Sequence, residues 1–144
     1  MSGSINTLNF LDANVWLALL RSRHVHSERA IAWFDEAAEQ QFFFCRFVQI
    51  TVLRLLTTEK IMGADTLTNS EAWRLWDHVR SDARIAFLAE PELERDFRAY
   101  SRGSSRSPKV WADAYLLALA TVAGLKLVTF DRALKARGVD VLVL

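Results

Sequence analysis

Residues 10–20, FLDANVWLALL, decide the fold, because an apolar run ends at Asp12 and a second one follows directly. Residues 8–12 predict a short buried strand. Residues 15–21 predict a helix capped by Asn14, whose side chain can accept the first unpaired amide hydrogens. Asp12 then lies at the carboxyl end of the strand. A buried carboxylate is expensive unless a cation receives it, so Asp12 calls for a chemical explanation.

Two more aspartates stand in strongly apolar segments. Asp131 follows the strand predicted for residues 126–130 in the segment LVTFDRAL, and Asp113 lies in WADAYLLALA, in the second turn of a helix predicted to end at Gly124. Functional groups of open parallel sheets gather outside the carboxyl ends of the strands. We therefore predict one acidic pocket that contains Asp12, Asp113 and Asp131.

Apolar strands that alternate with helices predict an α/β fold with a parallel sheet covered on both faces. The predicted strands are residues 8–12, 42–45, 85–88, 126–130 and 139–144. The predicted helices are residues 15–21, 27–40, 48–57, 70–80, 91–100, 108–123 and 132–137, with Ser107 and Pro108 as the cap and first position of the long one and residues 63–68 as a connection.

Composition limits the class of protein. The chain has 144 residues, of which 51% are hydrophobic, enough for a single domain over residues 1–144 without disulfides. The net charge of +1 requires any contact with a polyanion to depend on a local patch. The single cysteine, Cys45, is interpreted as a small buried hydrophobe. No signal peptide and no apolar run long enough to span a membrane is evident, which predicts a cytoplasmic protein.

Three converging carboxylates repel one another, and a divalent cation is their natural neutraliser. Oxygen ligands without cysteine pairs or spaced histidines favour Mg²⁺ or Mn²⁺ over zinc. Mg²⁺ held by few carboxylates leaves room for a phosphate oxygen and a nucleophilic water, which suits phosphodiester hydrolysis. This chemistry does not distinguish RNA from DNA.

Five segments, FLDANVWLALL, HVHSERAIAWF, CRFVQITVLRLLT, WADAYLLALA and LVTFDRAL, occur in the order and spacing that resembles the PIN-domain toxins of VapBC-type toxin–antitoxin operons. The resemblance implies a three-layer α/β/α sandwich with a short parallel sheet of about five strands. It implies a Mg²⁺-dependent endoribonuclease toxin that uses a metal-activated water, forms a homodimer, acts on RNA and is neutralised by a VapB-like antitoxin. Asp12, Asp113 and Asp131 match the catalytic and metal-binding acids of the family.

One family position differs. Many relatives carry a glutamate four or five residues before the arginine of the third helix, whereas this chain has Gln49 before Arg54. An amide oxygen can bind a cation but supplies no charge. A catalytically weak PIN-like module that binds RNA or antitoxin without efficient cleavage therefore stays open. A metal-dependent phosphatase or phosphotransfer domain is a second alternative, although no aspartate follows Asp12 by two residues and there is no P-loop.

Several residues have an ordinary interpretation beside the functional one. Asp131 could simply cap the next helix, Gln49 could be a buried amide, and His24 with His26 lacks the spacing of a metal pair. A basic cluster of Arg102, Arg106 and Lys109 could contact phosphates or simply be solvated. Three tryptophans are interpreted as core, with the first two on one helix face: Trp73, Trp76 and Trp111.

Overall fold

The strands and helices alternate along the chain. The computed structural model describes residues 7–104, 106–137 and 140–144. The strands are β1 (Leu8–Leu11), β2 (Gln41–Phe44), β3 (Ile85–Phe87), β4 (Lys126–Thr129) and β5 (Val141–Val143). The α-helices are α1 (Ala13–Leu20), α2 (Ser27–Glu36), α3 (Arg46–Leu56), α4 (Glu59–Met62), α5 (Asn69–Arg80), α6 (Glu94–Ser101) and α7 (Lys109–Ala123). Short 3₁₀ helices cover Gly63–Asp65 and Arg132–Arg137.

The five strands form one parallel sheet in the order β3-β2-β1-β4-β5, with Phe10 of central β1 opposite Phe43 on one side and Leu127 on the other. Crossovers between parallel strands are right-handed, so connections that run in opposite directions across the sheet lie on opposite faces. This rule places α1 to α5 on one face and α6 with α7 on the other. The contacts agree, since α1 packs against α2, α3 and α5, and α6 packs against α7. The predicted α/β/α arrangement is confirmed.

The core is apolar and rich in aromatic side chains. Trp16 of α1 packs against Phe44 of β2 and Trp76 of α5, with ring centroids 6.3 and 5.7 Å away. Burying a large apolar side chain contributes about 1.5–3 kcal/mol, so these rings fasten the helices to the sheet. Cys45 is buried as predicted. Among the described residues, no helix has both the length and the apolar character that a membrane crossing needs.

Two predicted helix caps are wrong. Helix α1 begins at Ala13, and its cap is Asp12, whose carboxylate accepts the Ala13 amide, because the chain leaves the strand there with ψ 154°. Asn14 therefore lies inside the helix. Pro108 is the cap of α7 and makes no side-chain hydrogen bond, while Ser107 contributes only its carbonyl oxygen, to the Val110 amide.

Two predicted core tryptophans are in fact half-exposed or more. Trp76 is 1% exposed, but Trp73 is 49% and Trp111 is 60% exposed. On α5 only Trp76 reaches the rings of Trp16 and Phe44, so a spacing of three residues did not bury both side chains. The short helix α4 was not predicted, α2 ends four residues before the predicted end at residue 40, and the predicted start of the last strand at residue 139 lies outside the described residues.

Gly124 ends α7 as predicted. Its φ of 69° lies in the left-handed region that glycine adopts without a Cβ clash. The chain then turns directly into β4, which carries Thr129 to the same edge of the sheet as Asp12.

Candidate active site

Asp12 is held in one orientation at the carboxyl end of β1. Its amide donates to the carbonyl oxygen of Val128 at 2.9 Å, which ties the strand end to β4. One carboxylate oxygen accepts the Ala13 amide at 2.7 Å, and the other accepts the Thr129 hydroxyl at 2.8 Å. Burial raises the pKa of Asp12 despite these hydrogen bonds, and the charges of Asp113 and Asp131 raise it further.

Thr129 connects two of the predicted acids. Its side chain is fully buried at the end of β4, and its hydroxyl donates to Asp12 while accepting the Asp131 amide at 3.0 Å. Sequence reasoning missed this residue. The available signal was a threonine as the last residue of a strand, two positions before an aspartate, where a hydroxyl can accept a nearby backbone amide.

Asp131 faces a cation from α7. Its Oδ2 accepts from Lys109 Nζ at 2.6 Å, and its Oδ1 accepts the Ala133 amide at 3.0 Å. The Lys109 hydrogen bond and the Ala133 amide hold the pKa of Asp131 below its usual value. The ordinary interpretation is thus met in part, since Asp131 does cap the following 3₁₀ helix.

Asp113 lies one turn after Lys109 on α7, with its Oδ2 3.9 Å from Lys109 Nζ. Its side chain is 21% exposed, against 65% for Lys109. Burial raises the pKa of Asp113 and the Asp131 charge adds to this, while Lys109 and Arg137 lower it. The three predicted acids therefore gather at one edge of the sheet, and one ammonium group contacts two of them, Asp113 and Asp131.

The donor set fits a hard divalent cation by its chemistry: three carboxylates, two of them with pKa values raised by burial and mutual repulsion. In the described part of the chain, however, no three His, Cys, Asp or Glu side chains already lie close enough to hold one ion together. Lys109 is the cation that contacts Asp131 and Asp113. An ion bound there would need the Lys109 side chain to move aside.

Gln49 is 4% exposed and accepts a hydrogen bond from Arg46 Nη1, one turn earlier on α3. The Arg46 guanidinium also lies over the ring of Phe87, 4.9 Å from its centroid. This contact satisfies the amide oxygen within the helix, which matches the ordinary interpretation of Gln49 as a buried amide.

The two histidines contact each other and not the acids. The His26 amide donates to Nδ1 of His24 at 3.0 Å, and the ring of His26 stacks on Phe130 with centroids 4.3 Å apart. Burial and the nearby His26 lower the pKa of His24. The structural interpretation of this pair is supported.

The predicted basic cluster is divided by the fold. Lys109 contacts the acids, whereas Arg102 and Arg106 line a separate groove beside the start of α7 together with Trp111 and Arg137. The groove has a volume of about 580 Å³.

Comparison with known proteins shows the family to which the chain belongs. The model of the PIN domain matches residues 10–139. The chain belongs to the PIN domain family. This PIN domain is 44% identical to Ribonuclease VapC41 of Mycobacterium tuberculosis (strain ATCC 25618 / H37Rv) over 133 residues, which cover 88% of this chain and 91% of that relative. It is accordingly a VapC-family PIN domain.

Two solved structures share the fold of this PIN domain. VapC20 of Mycobacterium tuberculosis, described as a Sarcin-Ricin loop cleaving toxin, superimposes with a TM-score of 0.64 at 16% identity, over 90% of this chain and 95% of VapC20. VapBC2 from Rickettsia felis, bound to a DNA fragment from its promoter, has a TM-score of 0.66 at 11% identity, over 96% and 99% of the two chains. At such low identity these likenesses support the fold alone.

Proposed function

We propose that this VapC-family PIN domain is a Mg²⁺- or Mn²⁺-dependent endoribonuclease, the toxin of a type II toxin–antitoxin pair, with Asp12, Asp113 and Asp131 as its catalytic and metal-binding residues. The observation that carries the proposal is the gathering of three carboxylates at one sheet edge, where burial and a neighbouring carboxylate raise the pKa of Asp12 and of Asp113. The relative VapC41 is named a ribonuclease, which supports RNA as the substrate.

When bound, a divalent ion supplies a Lewis acid for a phosphate oxygen and lowers the pKa of an attacking water. The chain fixes the orientation of the carboxylates that would hold the ion. Ala13 and Thr129 fix both oxygens of Asp12, and Thr129 couples their position to that of Asp131. If a cation took the place of Lys109 beside its carboxylates, Lys109 would be free to donate to a substrate phosphate, because most of its side chain is exposed.

Cleavage of single-stranded RNA by the full chain, with and without EDTA, tests the proposal. We expect Asp12→Asn and Asp113→Asn each to lower the cleavage rate about 100-fold or more, the scale seen when one electrostatic partner of a transition state is removed. Asp77→Asn, on the exposed face of α5, is the matched control and should cleave like the unchanged protein. Metal-independent cleavage, or full activity in either site variant, would refute the assignment.

The alternative of a catalytically weak module that binds RNA or antitoxin is favoured by two observations. Gln49 supplies no charge, and the Lys109 ammonium occupies the position between Asp113 and Asp131. Multiple turnovers per protein molecule that stop with EDTA support the nuclease. RNA binding without turnover at saturating Mg²⁺ or Mn²⁺ supports the alternative.

We further propose that residues 1–144 form a single PIN-like domain, that the protein is a homodimer, and that a VapB-like antitoxin binds it. Membership of the PIN domain family argues against the alternative of a small-molecule phosphatase. Light scattering of the purified chain tests the homodimer, and co-purification with the product of an adjacent small reading frame tests the antitoxin. A cytoplasmic location stays a prediction of the sequence.

A further inference from the structure

A groove beside the acidic site combines an exposed aromatic ring with arginines. It lies between the end of α6, the connection that precedes α7, and the 3₁₀ helix that follows β4, and its main side chains are Tyr100, Arg102, Arg106, Trp111 and Arg137. Among the described residues that line it, three are arginines and none is acidic. On a chain with a net charge of only +1, this is a local concentration of positive charge.

Trp111 presents its ring to solvent in this groove. The indole side chain is 60% exposed, against 49% for Trp73, although tryptophan side chains are highly buried on average. Its position is restrained from one side by Phe97 of α6, whose ring meets it edge-on with centroids 6.3 Å apart. A restrained ring with an open face is suited to stacking on a planar group.

The arginines of the groove differ in how they are held. Arg137 donates to the Tyr100 carbonyl oxygen at 2.6 Å and lies over the Tyr100 ring, so it is fixed in place. Arg102 and Arg106 are exposed, and within the described part of the chain neither forms an ion pair with a carboxylate. By contrast, Arg23 in the cavity between α1 and α4 already pairs with Asp65 at 3.6 Å. Unpaired guanidinium groups beside an aromatic ring suit a phosphate backbone.

The groove is next to the acids but distinct from them. Trp111 and Asp113 are two residues apart on α7, so their side chains leave the helix about 200° apart and are separated by roughly its width of 10–12 Å. Arg137 connects the two regions, because it lines the groove and lies on the 3₁₀ helix that begins directly after Asp131. A base on Trp111 would therefore belong to a nucleotide that neighbours the one whose phosphate lies at the acids.

We infer that this groove binds single-stranded RNA next to the cleaved phosphodiester, with one unpaired base stacked on Trp111 and its flanking phosphates on Arg102 and Arg106. The inference rests on the proposed function for the identity of the nucleic acid. Stacking on an aromatic ring accepts any base, so the groove selects for unpaired structure and not for sequence.

Binding of a short labelled single-stranded RNA, measured by fluorescence anisotropy in EDTA so that no cleavage occurs, tests the stacked base. Trp111→Leu should weaken binding about tenfold or more, the scale of one aromatic–base stack, and Trp111→Phe should restore part of the loss. An RNA of the same length with abasic sites should bind the unchanged protein and Trp111→Leu equally. Trp73→Leu, a half-exposed tryptophan on α5, is the matched control and should not change RNA binding.

The salt dependence of binding tests the arginines. Arg102→Gln and Arg106→Gln should each reduce the slope of log K against log salt concentration by about 0.7, the value for one lost contact with a single-strand phosphate. Arg29→Gln, on the exposed part of α2, should leave the slope unchanged.

Equal losses for intact and abasic RNA in Trp111→Leu overturn the inference. Trp111-dependent binding of polyglutamate as tight as that of RNA also overturns it, because it would indicate a peptide site. RNA cleavage is measured in parallel to separate the two proposals. If the protein cleaves RNA but Trp111→Leu has no effect on RNA binding, the groove inference is refuted and the proposed nuclease function stands. If RNA binding depends on Trp111 but the protein does not cleave RNA, the groove inference stands and the proposed nuclease function is refuted.

Discussion

The ends of β1 and β4 share one local arrangement, but the aspartates that follow them have opposite pKa shifts. Each strand is followed by an aspartate whose carboxylate accepts a backbone amide of the next helix, at 2.7 Å for Asp12 and 3.0 Å for Asp131. Yet the pKa of Asp12 is raised and that of Asp131 is lowered. The same local motif therefore gives two carboxylates with different affinities for a proton.

The opposite pKa shifts come from burial at Asp12 and from a cationic partner at Asp131. Asp12 is buried and its second oxygen meets only the neutral hydroxyl of Thr129. Asp131 meets the ammonium of Lys109, which α7 brings from a distant part of the chain. The amide of the next helix is thus a local partner of both aspartates, while burial at Asp12 and the distant Lys109 at Asp131 decide how tightly each carboxylate holds a proton.

The largest expected effect is that of a metal ion. An ion bound by both Asp12 and Asp131 should remove the difference in their affinity for a proton, because it favours the ionised form of each carboxylate. A ligand that binds only the folded protein at 100 times its Kd stabilises it by about 2.7 kcal/mol. We expect millimolar Mg²⁺ or Mn²⁺ to raise the melting temperature and Asp113→Asn to shrink that rise. Thermal melts with each ion and with EDTA measure it. Identical melting curves at every metal concentration would show that the three aspartates do not share an ion.

Removing the Lys109 ammonium should raise the pKa of Asp131 and so make it more like that of Asp12. Without Lys109 the pocket is more negative, so Lys109→Met should tighten Mn²⁺ binding about tenfold, equivalent to about 1.4 kcal/mol, and destabilise the metal-free protein. Calorimetric titration with Mn²⁺ and melts in EDTA measure both effects. Lys60→Met on exposed α4 is the control. Unchanged or weaker Mn²⁺ binding in Lys109→Met would mean that Lys109 does not compete with the ion.

The two aspartates should differ in sign when each is replaced by asparagine without metal. Because the folded pKa of Asp12 is raised, its ionised form opposes folding, and Asp12→Asn should stabilise the protein. Because the folded pKa of Asp131 is lowered, its ionised form favours folding, and Asp131→Asn should destabilise it. We expect changes on the order of 1 kcal/mol in urea unfolding at neutral pH in EDTA. Changes of the same sign would contradict the comparison.

The pH dependence of unfolding follows from the same shifts. For Asp12 the folded protein holds a proton more tightly than the unfolded chain, so stability falls as the pH rises from the unfolded pKa near 3.8 to the higher folded value. For Asp131 stability is present above 3.8 and is lost as the pH falls towards the lower folded value. In urea unfolding at several acidic pH values, Asp12→Asn should no longer show the fall in stability as the pH rises above 3.8. It should keep the loss of stability as the pH falls below 3.8.

The smallest expected effect is that of Gln49→Glu. Since Arg46 already donates to the side-chain oxygen at this position, a carboxylate there gains a cationic partner within its own helix. We expect a change in stability below about 1 kcal/mol and no dependence of that change on metal. Metal-dependent rescue of a strongly destabilised Gln49→Glu would instead place this residue beside the acids.

Much of the fold could be predicted because periodic burial is a local property. The strand–helix alternation and the α7 stop at Gly124 agree with the structure. Besides the missed helix α4 and the early end of α2, the errors concern caps and faces. Asn14 and Asp12 are both good capping residues, and only the direction in which β1 ends decides between them. Trp73 and Trp76 share a helix face, and only the room beside Trp16 decides which one is buried.

The sequence by itself determined that three aspartates follow or interrupt apolar elements, because strand ends and helix spacing are written in the order of residues. Tertiary structure alone decided that Lys109 faces Asp131, that buried Thr129 joins two acids, and that Trp111 opens into an arginine-lined groove. The Lys109–Asp131 and Thr129–Asp12 contacts join residues 22 and 117 positions apart in the chain. Their geometry depends on how the sheet and α7 pack together, which no local pattern of residues encodes.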